Sequence, residues 1–69
     1  MTVTQKIKQA LAYKNMSVAQ LARVLGVSSQ AIGQRLKTGK FTCEELERIA
    51  NALGCRYVFG FEFPDGTKI

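Results

Sequence analysis

Between Ser28 and Lys40 the chain carries many side chains that hydrogen-bond or hold positive charge, and none that is acidic: Ser28, Ser29, Gln30, Gln34, Arg35, Lys37, Thr38 and Lys40. A glutamine amide sets a donor beside an acceptor, which matches the exposed edge of adenine, and a serine hydroxyl adapts to either role. Arginine and lysine meet phosphate oxygens. On a helix, Ile32 and Leu36 would lie one turn apart and face inward with Ala31 beside them, leaving Ser28, Ser29, Gln30, Gly33, Gln34 and Lys37 outside. A solvated helix face is the plain alternative for those glutamines. Gly33 in mid-helix costs about 1 kcal/mol relative to alanine. Close approach to a ligand or close packing against another helix would each account for it.

The elements that must hold this face announce themselves by their caps. Thr2-x-x-Gln5, Ser17-x-x-Gln20 and Thr42-x-x-Glu45 are capping boxes, and Ser28 caps a further segment. Apolar residues follow at helical spacing: Ile7, Ala10 and Leu11; Val18, Leu21, Ala22 and Leu25; Leu46, Ile49, Ala50 and Leu53. Asn15-Met16, Gly26, Thr38-Gly39 and Gly54 end the segments. The pattern predicts helices over about 3–14, 18–25, 29–37 and 43–53. Between the second and third, Gly26-Val27-Ser28 forms a turn of about three residues. Gly26 can take a left-handed conformation, Val27 can plug the corner, and the small Ala22 allows a close crossing. Two short helices joined this way let the second protrude toward a groove.

After Gly54 the period changes from helical to alternating. Tyr57, Phe59, Phe61 and Phe63 alternate with Val58, Gly60 and Glu62, which predicts a strand over about 56–63 with one aromatic face. Pro64-Asp65-Gly66 is a turn signal, after which Thr67–Ile69 could return as a second short strand. So apolar an edge invites pairing with a second copy. Covering the base of the helical core is the structural alternative for these aromatics.

Charge is distributed unevenly. Lys6, Lys8, Lys14, Arg23, Arg35, Lys37 and Lys40 give +7 up to Cys43, while the rest of the chain carries −2, for a net +5. Such a field attracts a polyanion to one side. Lys6, Lys8 and Lys14 are read as solubilising surface, and Glu44, Glu45 and Glu47 as negative charge favoured at a helix start. The chain's 69 residues leave room for one domain (1–69) and a modest core. No apolar run or signal-peptide pattern is visible, so a cytoplasmic location and no membrane association are expected. Cys43 and Cys55 lack metal-ligand spacing, and histidine is absent. Two reduced, packed thiols, no metal, no cofactor and no enzyme activity are expected.

The residues Met16–Ala22, Leu25-Gly26-Val27-Ser28, Gln30-Ala31-Ile32, Thr38-Gly39-Lys40 and Leu46–Gly54 together resemble the lambda-repressor-like, Cro-type helix-turn-helix regulators, the xenobiotic-response-element family. The resemblance covers about residues 4–54. It implies a mostly α, four-helix domain that binds double-stranded DNA, often as a dimer on a two-fold site, and that acts in transcription, as a repressor or an activator. By position it places base reading on Ser28, Ser29, Gln30 and Gln34. Backbone contacts fall near Ser17, Val18 and the Thr38-Gly39-Lys40 loop, with Gln20, Arg35 and Lys37 added as flanking groups. Val18 departs from the polar residue frequent at its position, and the aromatic segment departs from the fifth helix that commonly follows. A homodimer joined through Tyr57, Phe59, Phe61 and Phe63 is expected. The alternative is a prophage or toxin–antitoxin interaction module that uses the same aromatic strand to bind another protein.

Overall fold

The computed structural model describes residues 2–69, and within them four helices: α1 (Val3–Tyr13), α2 (Val18–Leu25), α3 (Ser29–Thr38) and α4 (Cys43–Leu53). Each begins where a side-chain oxygen can replace the missing turn. Thr2, Ser17, Ser28 and Thr42 sit in extended backbone, and their hydroxyls accept the N–H of Gln5, Gln20, Ala31 and Glu45. In α1, α2 and α4 the reciprocal bond from the third residue's side chain is also made. These bonds satisfy N–H groups that a bare helix end leaves unpaired.

The helix ends are equally local in origin. Gly26 adopts φ +75°, and beyond it the Val27 N–H donates to the Ala22 carbonyl at 3.0 Å. This is the wrap-around bond that stops a helix at a left-handed residue. Asn15, with φ 54°, closes α1 in the same way through a Met16 N–H bond to the Leu11 carbonyl. Asparagine tolerates that region better than most side chains.

The inward stripes meet in one core of Ile7, Leu11, Leu21, Ala22, Ile32, Leu36, Leu46, Ile49 and Leu53. Leu21 is fully enclosed, and no polar side chain is buried among the described residues. α2 packs against both α3 and α4, with Ala22 almost fully buried on it. α1 closes the bundle through Ile7 and Leu11, and the Thr4 hydroxyl donates to the Leu36 carbonyl at 2.7 Å.

Three expectations are corrected here. The strand over 56–63 does not form, and no strand is found among the described residues. Instead, a turn brings Phe61 and Ile69 together, the two exchanging N–H bonds to each other's carbonyl, with one antiparallel bridge between Glu62 and Lys68. Arms this short give no sheet, and the phenylalanines stay in solvent: Phe59 and Phe61 are 72% and 70% exposed. A lone hairpin is marginal in water for that reason. Val27 does not plug the corner; it is 43% exposed. Cys43 and Cys55 are free thiols as expected, but both are exposed rather than packed.

Tyr57 is the last residue of the chain to pack on the core, and Phe59 stacks on its ring at 6.0 Å between centroids. Beyond it the chain leaves the body. The molecule measures 44 × 23 × 19 Å with a radius of gyration of 13.3 Å. A close-packed chain of this length would have roughly 11 Å.

Candidate nucleic-acid interface

α3 divides sharply into two faces. Ile32 and Leu36 are buried, while Ser29, Gln30, Gln34 and Lys37 are exposed, as are the flanking Ser28 and Thr38. Neither glutamine amide is held by a hydrogen bond within the described residues, so the donor–acceptor pair of each is free. Gly33 lies on this helix with no atom within 4 Å of where a Cβ would stand. Close packing against a neighbouring helix is therefore not its role.

The hydroxyls expected at the interface have a prior use in the fold. Ser28 Oγ accepts the Ala31 N–H at 3.0 Å, and Ser17 Oγ accepts the Gln20 N–H at 3.1 Å. Gln20 Oε1 accepts the Ser17 N–H at 2.7 Å. Each acts as an acceptor in these bonds, so the serine protons and the Gln20 amide protons remain available as donors. Both helix starts then present donors toward solvent, an arrangement suited to phosphate oxygens.

Arg35, expected at the phosphates, is engaged within the protein. Its Nε and Nη2 donate to the Lys40 carbonyl at 3.1 and 2.8 Å, and Nη2 also reaches Glu45 Oε1 at 2.5 Å. The guanidinium lies over the Phe41 ring, 5.4 Å from its centroid. The side chain is 43% exposed, with Nε and Nη2 engaged within the protein. Glu45 Oε1 accepts the Thr42 N–H as well, at 2.8 Å. That backbone bond first, and Arg35 second, hold the Glu45 carboxyl below the ordinary glutamate range.

The end of α3 is closed by its own backbone as well. Thr38 Oγ1 donates to the Arg35 carbonyl at 3.1 Å, and the Gly39 N–H reaches the same carbonyl at 2.9 Å. Lys37 and Lys40 remain exposed on either side of it. The bridging role of Glu45 was not visible in the sequence. Its capping box was, but ten residues separate it from Arg35, and no spacing rule connects the two across an irregular loop.

Of the aromatic residues assigned to a dimer contact, Tyr57 is partly buried on its own core, whereas Phe59, Phe61 and Phe63 are exposed. No helix among the described residues is long and apolar enough to cross a membrane.

A helix-turn-helix with its second helix offering free amides between basic residues is the architecture of a DNA-binding regulator. The chain matches the Cro/C1-type HTH DNA-binding domain over residues 6–57, and it belongs to that family. No curated protein and no solved structure matches it significantly.

Proposed function

We propose that this chain is a sequence-specific regulator of transcription that reads the major groove of double-stranded DNA with α3 and represses by occupying a promoter. The observation that carries this reading is the free, exposed pair Gln30 and Gln34 on a helix face with no acidic side chain. Ser28, Ser29, Gln30 and Gln34 read base edges. Ser17, Gln20, Lys37, Thr38 and Lys40 meet the phosphates, and Arg35 is withdrawn from that group. The reading assigns no catalytic step.

A specific observation favours a homodimer. Val58, Phe59, Phe61 and Ile69 are between 70% and 74% exposed on one short segment. A second copy that pairs with this segment would cover them, and the strand would form only on pairing. Half-sites would then lie about 34 Å apart, one turn of duplex.

Selection of bound sequences from a random duplex pool tests both parts. A pair of short conserved blocks at that spacing is expected, whereas an unstructured pool after selection would end the claim of sequence specificity. With the selected duplex, Gln34→Ala should lose preference among sequences while Lys40→Ala weakens all of them alike. Sedimentation of Phe59→Ser/Phe61→Ser tests the tail, and an unchanged dimer fraction would remove it from the interface.

A further inference from the structure

We infer that Arg35 and Glu45 form a positioning clamp that presents the loop 38–40 to the DNA backbone, and that neither acts by its own charge on the nucleic acid. The inference rests on the DNA-binding reading above. Three observations carry it. Arg35 binds the Lys40 carbonyl through two nitrogens, which fixes the backbone of the very residue whose ammonium is left exposed. One oxygen, Glu45 Oε1, receives both Arg35 Nη2 and the Thr42 N–H, so the end of α3 and the start of α4 converge on a single atom. Thr38 and Gly39 are already closed onto the Arg35 carbonyl by the end of α3 itself, so the two side chains add the points the helix cannot supply, the Lys40 carbonyl and the Thr42 N–H. Phe41 lies under the guanidinium.

The geometry explains why an acidic residue is present so close to a surface that must attract phosphates. Glu45 neutralises Arg35 and spends its negative charge on backbone and guanidinium donors. A planar guanidinium can reach a carbonyl and a carboxylate together, whereas a lysine ammonium is a point charge on a flexible stem. The pair thereby converts a flexible turn into a fixed mount for Lys40 and Thr38. Fixing the mount beforehand lowers the ordering cost of binding.

The sign of one substitution separates this from simple electrostatics. Glu45→Gln keeps the capping box, since glutamine serves at that position. If Glu45 acted only as a charge, removing it would strengthen binding to DNA. As part of the clamp, it should weaken binding, on the order of tenfold, within the span of coupling between touching residues. Arg35→Lys keeps the positive charge and should lose a similar factor, although a direct phosphate contact would retain most of its affinity. In a Lys40→Ala background the loss from Glu45→Gln should shrink, because the group being positioned is gone. Affinities of the full chain for the selected duplex at two salt concentrations read all of this, alongside thermal midpoints that should change little.

Tighter binding by Glu45→Gln, or undiminished binding by Arg35→Lys, would overturn the clamp. Absence of salt-dependent binding by the unaltered chain would instead overturn the DNA reading. The clamp is then judged without DNA, by hydrogen exchange of the Gly39 amide, with the Thr42 amide, whose capping bond glutamine keeps, as the internal control. Gly39 exchange should accelerate in both variants, and an unchanged Gly39 rate would refute the clamp on its own terms.

Discussion

The helical body and the segment after Gly54 are both rich in apolar residues, yet they use them in opposite ways. In the body, leucines and isoleucines recur every three or four positions and meet in one core with Leu21 fully enclosed. In the tail, phenylalanines alternate at every second position and stay in solvent, with hydrogen bonds confined to one turn. Apolar content thus does not decide order. A helical stripe on a capped helix can close on three neighbours of its own chain, whereas an alternating face needs a second surface, and this chain provides none after Tyr57. The body buries its apolar residues within one copy, and the tail leaves its phenylalanines exposed.

The largest expected effect would break that contrast outright if it failed. Leu21→Ala should cost about 3 kcal/mol, since a leucine with no exposed surface leaves a cavity that the surrounding helices fill only in part. For a domain this small the thermal midpoint should fall by more than roughly 10 °C. Phe61→Ala removes more apolar surface but should stay within about 0.5 kcal/mol in dilute solution, as substitutions of exposed residues do. Calorimetry or denaturant melts of the two variants give the comparison. Similar losses at both positions would mean that the tail is packed and that the contrast is wrong.

Why the body was legible in the sequence follows from the same physics. Caps and left-handed stops act within four residues, so Ser17-x-x-Gln20 and Gly26 could be read directly, and the inward stripes of Leu21, Ala22, Ile32 and Leu36 follow from the helical period. The outward face of α3 came with them, because placing Ile32 and Leu36 inside leaves Gln30 and Gln34 outside. What local rules cannot supply is the identity of distant partners. Alternation at Tyr57–Phe63 shows which side chains share a face, but not whether anything covers it, and among the described residues only the Tyr57 end meets the core. The partners of Arg35 were missed for a related reason: a basic residue beside a basic helix is read from its neighbours in sequence, while Lys40 and Glu45 are reached only across an irregular loop. Val27 failed similarly. An apolar residue at a turn reads as a plug, yet its side chain remains substantially in solvent.

A smaller effect sharpens the contrast by placing the same local strain in both regions. Gly26 and Gly66 have φ of +75° and +90°, and a Cβ at either would meet nothing within 4 Å. Alanine at each therefore carries only the backbone penalty of a left-handed conformation, about 1–2 kcal/mol. At Gly26 the strain falls on the turn that joins α2 to α3, so Gly26→Ala should lower global stability by that amount. At Gly66 the tail turn can open without disturbing the core, so Gly66→Ala should leave the melt unchanged and alter only the amides of 61–69. A global loss at Gly66 would show the tail to be coupled to the body.

The smallest effect uses acid in place of mutation. Glu45 in the body and Asp65 in the tail both have lowered pKa values, the first through the Thr42 N–H and then Arg35, the second through the Thr67 N–H. A carboxyl whose folded value is depressed contributes stability that is fully present above its unfolded value, about 4.3 for glutamate and 3.9 for aspartate. That contribution is lost as the pH falls through the folded value. The chain has no histidine to add a transition near neutrality. Stability should accordingly be flat from roughly pH 5 to 8 and decline only below the glutamate range. The two carboxylates should then part company. Glu45→Gln should flatten the acid limb of the global melt, because the clamp ties α3 to α4. Asp65→Asn should leave that limb in place and change only the local titration of the Thr67 amide, because opening the tail turn frees the Asp65 carboxylate at no cost to the core. An Asp65→Asn variant with a flattened global limb would tie the tail turn to the body's unfolding and merge the two regions into one cooperative unit.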